Sequence, residues 1–183
     1  MLRAMPDDLA KRLLAASELH GDFVLSSGRR SSVYFDKFRF LTDPQLLRET
    51  AHAVVGVLPD GVTHLAAPEG AATLLVAAVA LETGLPVSVV RKQPKGYGTR
   101  SQVEGHAPEG ARVALIEDVS TTGRQVLAAA EALEAQGCRV EVIVLAIDRG
   151  GAEHLREAGH RVRAVVQVRP AEDASPAEPP SVR

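Results

Sequence analysis

The sequence is short of the residues that mark several protein classes. Cys138 is the only cysteine. That excludes an intrachain disulfide and a multi-cysteine zinc site, and it suits a reducing cytoplasm. The opening "MLRAMPDDLAKRLLAA" has no long apolar run and carries Asp7 and Asp8 early, so neither a signal peptide nor a membrane anchor is expected. Charge of one sign is also lacking. A formal net charge of −2 gives no electrostatic reason to expect general binding to nucleic acid or to a membrane surface. Neither G-x-x-x-x-G-K-[ST] nor G-x-G-x-x-G occurs, so nucleoside triphosphate and dinucleotide readings lack their usual loops. Tryptophan is absent, with only two Tyr and four Phe, so any aromatic cluster is conspicuous. One exists, "VYFDKFRF" at 33–40.

What is present reads as one domain. The 183 residues, 45% apolar and 24% charged, suffice for a substantial core. Helical and strand patterns alternate, which predicts an α/β fold with a mostly parallel sheet. "PDDLAKRLLAASELH" sets Leu9, Leu13 and Leu14 on one side of a helix, with Asp7 or Asp8 as its N-cap. "DFVLSSGRRSSVYFD" reads as two extended pieces around Gly28. Asp43 and Pro44 open a second helix through "QLLRETAHAVV". Strands follow at "VTHLAA", "PVSVVR", "RVALIED", "VEVIVLAID" and "RVRAVVQV". Helices are expected over 70–83, 122–136 and 152–158. Runs such as "VEVIVLAI" suit strands covered on both faces. Residues 92–110 form a long polar connection of the kind that serves as a lid. The Pro- and acid-rich tail over 171–183 is expected to be disordered.

The most informative stretch is "VALIEDVSTTGRQV", residues 113–126. An apolar strand runs into Glu117 and Asp118, and then into Ser120, Thr121, Thr122 and Gly123 at the start of a helix. Ligands of open parallel sheets collect at strand carboxyl ends. A helix start there offers free N–H groups and a positive dipole end, which suit phosphate. The two acids suit hydroxyl groups or a magnesium ion instead. Hydroxyls beside a phosphate describe a sugar phosphate. A plainer alternative has Asp118 capping the helix and the Ser/Thr residues filling a turn.

These residues resemble the phosphoribosyl pyrophosphate (PRPP) motif of type I phosphoribosyltransferases. The resemblance implies that family's fold, a mostly parallel central sheet flanked by helices. It also implies a small hood formed by about residues 1–40, completing a single domain over 1–170. It implies that Glu117 and Asp118 meet the ribose hydroxyls, and that Val119, Ser120, Thr121, Thr122, Gly123, Arg124 and Gln125 line the 5′-phosphate site. "VVRKQPKGYGTRSQVEG" is similar to the catalytic loop of the orotate phosphoribosyltransferases. Arg91, Lys92, Lys95 and Tyr97 are then the candidates for handling pyrophosphate. Tyr97 stands where many relatives have His, which leaves Lys95 to neutralise the leaving group. In that family the loop acts across a dimer interface, so a homodimer with the 92–110 loop reaching over is implied.

Three more segments resemble the orotate branch. "LSSGRRSSVYFDKF" is similar to the segment lying against the orotate ring, with Val33 in place of Pro; it nominates Tyr34 and Phe35, and Thr121 joins them at the base. "LAAPEGAATLLVAAVA" matches the pyrophosphate loop. There Glu69 and Ala71 replace the frequent Lys or Gly, so backbone N–H groups are left to make the contact. "VLAIDRGGAEHLREAG" places Arg149 where a guanidinium can pair with the orotate carboxylate; an Asp148–Arg149 surface pair is its alternative. The implied reaction joins orotate to PRPP with Mg2+, giving orotidine 5′-monophosphate and pyrophosphate in the cytoplasm. The magnesium is held mostly by substrate and water oxygens rather than side chains. Two other readings are a phosphoribosyltransferase for a purine or another base, and a non-catalytic PRPP-sensing regulator of the same fold.

Overall fold

The computed structural model describes residues 7–24, 28, 30–94 and 101–168. The expected disordered tail lies outside these residues, and so do Lys95 and Tyr97. Helix α1 (Asp7–Ser17) is followed by strands β1 (Glu18–Val24) and β2 (Arg30–Phe35), then by the single turn α2 (Phe38–Leu41) and helix α3 (Pro44–Val55). The remainder alternates: β3 (His64–Pro68), α4 (Ala72–Thr83), β4 (Val87–Val90), β5 (Val103–Gly105), β6 (Arg112–Ser120), α5 (Arg124–Ala135), β7 (Arg139–Asp148), α6 (Gly151–Glu157) and β8 (Val162–Gln167).

β1 and β2 pair antiparallel as a separate hairpin, while the other six strands form a sheet in the order β5-β4-β3-β6-β7-β8. All its pairings are parallel except that of β4 with β5. The order has one physical consequence for function. From β3 the chain moves outward to β4, whereas from β6 it moves the opposite way to β7. The carboxyl ends of β3 and β6 therefore flank a topological switch point, where departing chains leave a crevice.

Side-chain alternation along the strands fills two cores. Ala114 and Ile116 of β6, with Leu65 and Ala67 of β3, pack toward α1, α3 and α4. Val113 and Leu115 of β6, with Ala66 of β3, pack toward α5 and α6. β6 and β7 are thus covered on both faces, as their apolar runs predict. Among the described residues no helix is long and apolar enough to cross a membrane.

Three local expectations change. The first helix ends at Ser17, because Glu18–Val24 is drawn into the hairpin with Arg30–Phe35; tertiary pairing overrides a helical pattern that continues to His20. Asp8 lies inside the first turn and pairs with Arg12 at 2.9 Å instead of capping the helix. The 92–110 connection is not wholly irregular. Val103, 5% exposed, anchors β5 as an antiparallel edge beside β4, a three-residue strand too short to leave a periodic signal.

Asp43 does cap α3: its Oδ1 accepts from the backbone N–H groups of Gln45 and Leu46, both at 2.9 Å, with Pro44 in the first turn. Asp43→Ala is expected to lower stability by about 1 kcal/mol, read as a shift of the urea midpoint at unchanged slope.

Candidate active site

Two helices begin at the switch point, and neither start is capped by a side chain. At α5 the N-cap is Gly123, with φ 73°; at α4 it is Ala71. Uncapped N–H groups at a helix start are donors that an anion can satisfy together with the helix dipole, although at α4 the Thr73 and Leu74 N–H groups already donate to the Gly70 and Ala71 carbonyls at 3.2 and 3.1 Å. Two anion cradles therefore lie side by side. Gln125 links them, its Nε2 donating to the Glu69 carbonyl at 3.5 Å.

The β6–α5 cradle is held by close packing. Ser120 is 3% exposed, yet its Oγ has no hydrogen-bond partner among the described residues; Thr121 and Thr122 are exposed. Arg149 N–H donates to the Ser120 carbonyl at 2.8 Å. A Cβ on Gly151 would overlap Ser120 Oγ and sit 2.9 Å from Gly123 N; one on Gly123 would sit 2.8 Å from the Gly151 carbonyl oxygen. Only paired glycines let these two loops lie in contact. Asp148 serves the second loop. Its Oδ1 accepts from Gly150 N at 3.0 Å and Ala152 N at 3.1 Å, which accounts for its carboxylate without Arg149.

The acids sit deeper than the sequence suggests. β6 continues to Ser120, so Glu117 and Asp118 lie within the strand at 4% and 0% exposure. Asp118 does not cap α5. Its Oδ1 accepts from Val119 N at 2.7 Å and from Lys37 Nζ at 3.2 Å. Oδ2 is 3.1 Å from the same ammonium, but out of line for a hydrogen bond and without another partner. Burial pushes the Glu117 carboxyl up to about 9; a hydrogen bond to Asp118 and that residue's charge add to it, while Lys37 pulls the other way.

Phe35 and Arg149, nominated from opposite ends of the chain, meet. The guanidinium carbon lies 4.8 Å from the ring centroid, a cation–π contact. Tyr34, one residue earlier, points to the other side of the hairpin, where it packs on Phe23 at 5.5 Å and stays 43% exposed.

At the third edge, Arg91 and Lys92 leave β4 beside the α4 cradle. Glu69 Oε1 accepts from Lys92 N at 3.0 Å and Oε2 lies 4.0 Å from Arg91. Arg91 Nε is buried without a hydrogen-bond partner among the described residues. A cleft of about 290 Å3 is lined there by Arg91, Lys92, Gln102, Arg124 and Gln125 over an apolar floor. Sequence reasoning missed two groups. Lys37 is a lone cation after the aromatic pair, and Glu69 registers only as a departure from pattern.

A magnesium ion is compatible with this donor set in one way. Among the described residues no three His, Cys, Asp or Glu side chains gather to hold an ion. Asp118 Oδ2 makes no hydrogen bond but lies 3.1 Å from the Lys37 ammonium, so a cation already faces it, and a magnesium ion would be held by substrate and water oxygens rather than by this side chain.

Comparison with known proteins converges on one group. Residues 41–173 match the family model described as phosphoribosyl transferase domain. A protein of Thermococcus gammatolerans named orotate phosphoribosyltransferase is 40% identical over 173 residues, covering 92% of each chain. One of the same name from a Nocardioides species is 46% identical over 86% of this chain and 89% of its own. The crystal structure of Mycobacterium tuberculosis orotate phosphoribosyltransferase in complex with PRPP superposes with a TM-score of 0.73 at 27% identity, over 87% of this chain and 94% of that one.

Glu117 supplies a prediction. From the ordinary carboxyl value to about 9, the folded chain keeps a proton that the unfolded chain has released, so this group's contribution to stability falls as pH rises through that window. Glu117→Gln should gain in melting temperature over the unsubstituted chain between pH 5 and 9. A constant difference would show that Glu117 ionises normally.

Proposed function

The chain belongs to the phosphoribosyltransferase family, among its orotate phosphoribosyltransferases, and from this we propose that it transfers the phosphoribosyl group of PRPP to orotate, releasing pyrophosphate. The observation that carries the choice of base is the meeting of Arg149 with Phe35 at the edge of the phosphate cradle. A planar guanidinium fixed on an aromatic face can pair with a carboxylate, and orotate is the pyrimidine that brings one.

The geometry of the described residues supports the following roles, and the family resemblance supports those of Lys95 and Tyr97. The α5 start, with Ser120 through Gln125, receives the 5′-phosphate. Glu117 and Asp118 accept hydrogen bonds from the ribose hydroxyls, so the sugar is fixed at both ends. The α4 start receives pyrophosphate through backbone N–H groups. Phe35 and Arg149 orient the base, Thr121 is a further contact to it by the family resemblance, and Tyr34 braces the hairpin from its outer side. Bond formation from the orotate ring nitrogen to C1 accompanies departure of the pyrophosphate oxygen with the bonding electron pair, and the ring nitrogen's proton passes to that departing oxygen. The transition state is cationic on ribose and anionic on the leaving group, so the protein's work is positioning and electrostatic stabilisation. Arg91, Lys92 and Lys95, with Tyr97, supply positive charge and hydrogen bonds to the leaving group and exclude water. When bound with PRPP, a magnesium ion would add to the neutralisation of the pyrophosphate, and no side chain among the described residues is required to hold it.

The wider reading is a cytoplasmic homodimer. Residues 1–170 form one catalytic domain, about 1–40 of it a hood, and the 92–110 loop serves the neighbouring site.

Offered orotate, uracil, adenine, xanthine and hypoxanthine with PRPP and magnesium, the protein should release pyrophosphate with orotate alone. Turnover of a purine would overturn the base assignment, and PRPP binding without turnover of any base would favour a sensor. Lys95→Ala should lower kcat by about 100-fold, on the scale of losing one transition-state donor, with much less effect on orotate affinity. Unchanged turnover would remove Lys95 from the mechanism.

A further inference from the structure

We propose that Lys37 is a positioning residue for the phosphoribosyl site: its ammonium holds the buried Asp118 carboxylate in place, and so ties the base-facing end of the hairpin to the ribose-facing end of β6. This rests on the ribose role assigned above to Asp118.

The first support is burial. Asp118 has no solvent exposure, and a carboxylate there requires a cation or a full set of donors. Among the described residues the one ion pair it makes is with Lys37. The second is the origin of that cation, which comes from outside the sheet, 81 positions earlier in sequence. Its backbone is held on both sides. Asp36 N donates to the Ser17 carbonyl at 2.8 Å, and Asp36 Oδ1 accepts from Phe38 N at 3.1 Å. Beyond it, Phe40 and Leu41 are sunk in the core at 0% and 1% exposure.

The third support is reciprocity. Two residues before Lys37 stands Phe35, over which Arg149 is stacked. The hairpin segment sends a cation to an anion of the sheet, and the sheet sends a cation to a ring of the hairpin. The two contacts fix that segment's distance from β6 and β7 at separate points. With both Asp118 oxygens within 3.2 Å of the ammonium, Lys37 sets which way that carboxylate faces and hence where a ribose hydroxyl must sit to reach it.

The test is a double-mutant cycle on Lys37→Met and Asp118→Asn, with binding of ribose 5-phosphate and of inorganic phosphate measured by calorimetry. Lys37→Met should weaken ribose 5-phosphate by about tenfold or more, as misplacement of a positioned group does, and leave inorganic phosphate unchanged. The double variant should bind ribose 5-phosphate no worse than Asp118→Asn alone, because Lys37 acts through that carboxylate. It also removes the unpaired buried charge, so it remains a folded reference if Lys37→Met unfolds. In steady state, Lys37→Met should raise KM for PRPP more than it lowers kcat, and Lys37→Arg should recover most of the loss. Unaltered ribose 5-phosphate binding, equal loss for both ligands, or additive losses in the cycle would each overturn the proposal. Neither binding ligand contains a base, so the cycle stands or falls separately from the assignment of orotate.

Discussion

A pair of carboxyl groups inside a two-faced parallel strand is the constraint around which the site is organised. β6 lies between β3 and β7 with apolar layers on both sides, the last place where charge is tolerated without compensation. Glu117 responds by holding its proton well above the ordinary range, and Asp118 by drawing Lys37 onto it from the turn that follows the hairpin. The strand carries that cost to the point where the sheet's winding reverses and a crevice opens. A sugar bound there would find acceptors that are already desolvated and aimed, with no water shell to shed at the moment of reaction.

The same winding explains why two anion cradles adjoin. β3 and β6 are neighbours whose chains leave in opposite directions, so α4 and α5 start close together while packing on opposite faces of the sheet. Each start lacks a capping side chain. A substrate with a phosphate at one end and pyrophosphate at the other matches two such starts better than one.

The elements legible in the sequence are those with a periodic signal. The apolar runs of β6 and β7 and the Asp43-Pro44 start of α3 stand out because each rests on local chemistry. β5 does not, since three residues cannot display alternation and its pairing with β4 is decided by the fold. The first helix overruns for a related reason: the pattern through His20 is equally good as helix, and only the pairing of β1 with β2 decides. At the site, "EDVSTTG" identifies the loop, and the structure adds that both acids are interior. Tyr34 and Phe35 were nominated as a pair, yet strand alternation sends them to opposite sides, so that one meets Arg149 and the other Phe23. Lys37 carries no motif. Its partner is 81 residues away, and nothing local indicates it.

The glycine contact between the phosphate loop and the Arg149 loop has a metrical consequence. Gly123 and Gly151 leave no space for either loop to slide toward the other, and the Arg149 N–H to Ser120 bond keeps them from parting. The distance from the α5 cradle to the Arg149 backbone is therefore a fixed gauge. In the proposed product, phosphate and carboxylate belong to one molecule. The protein would measure the span between them with a ruler whose length is set by two missing methyl groups.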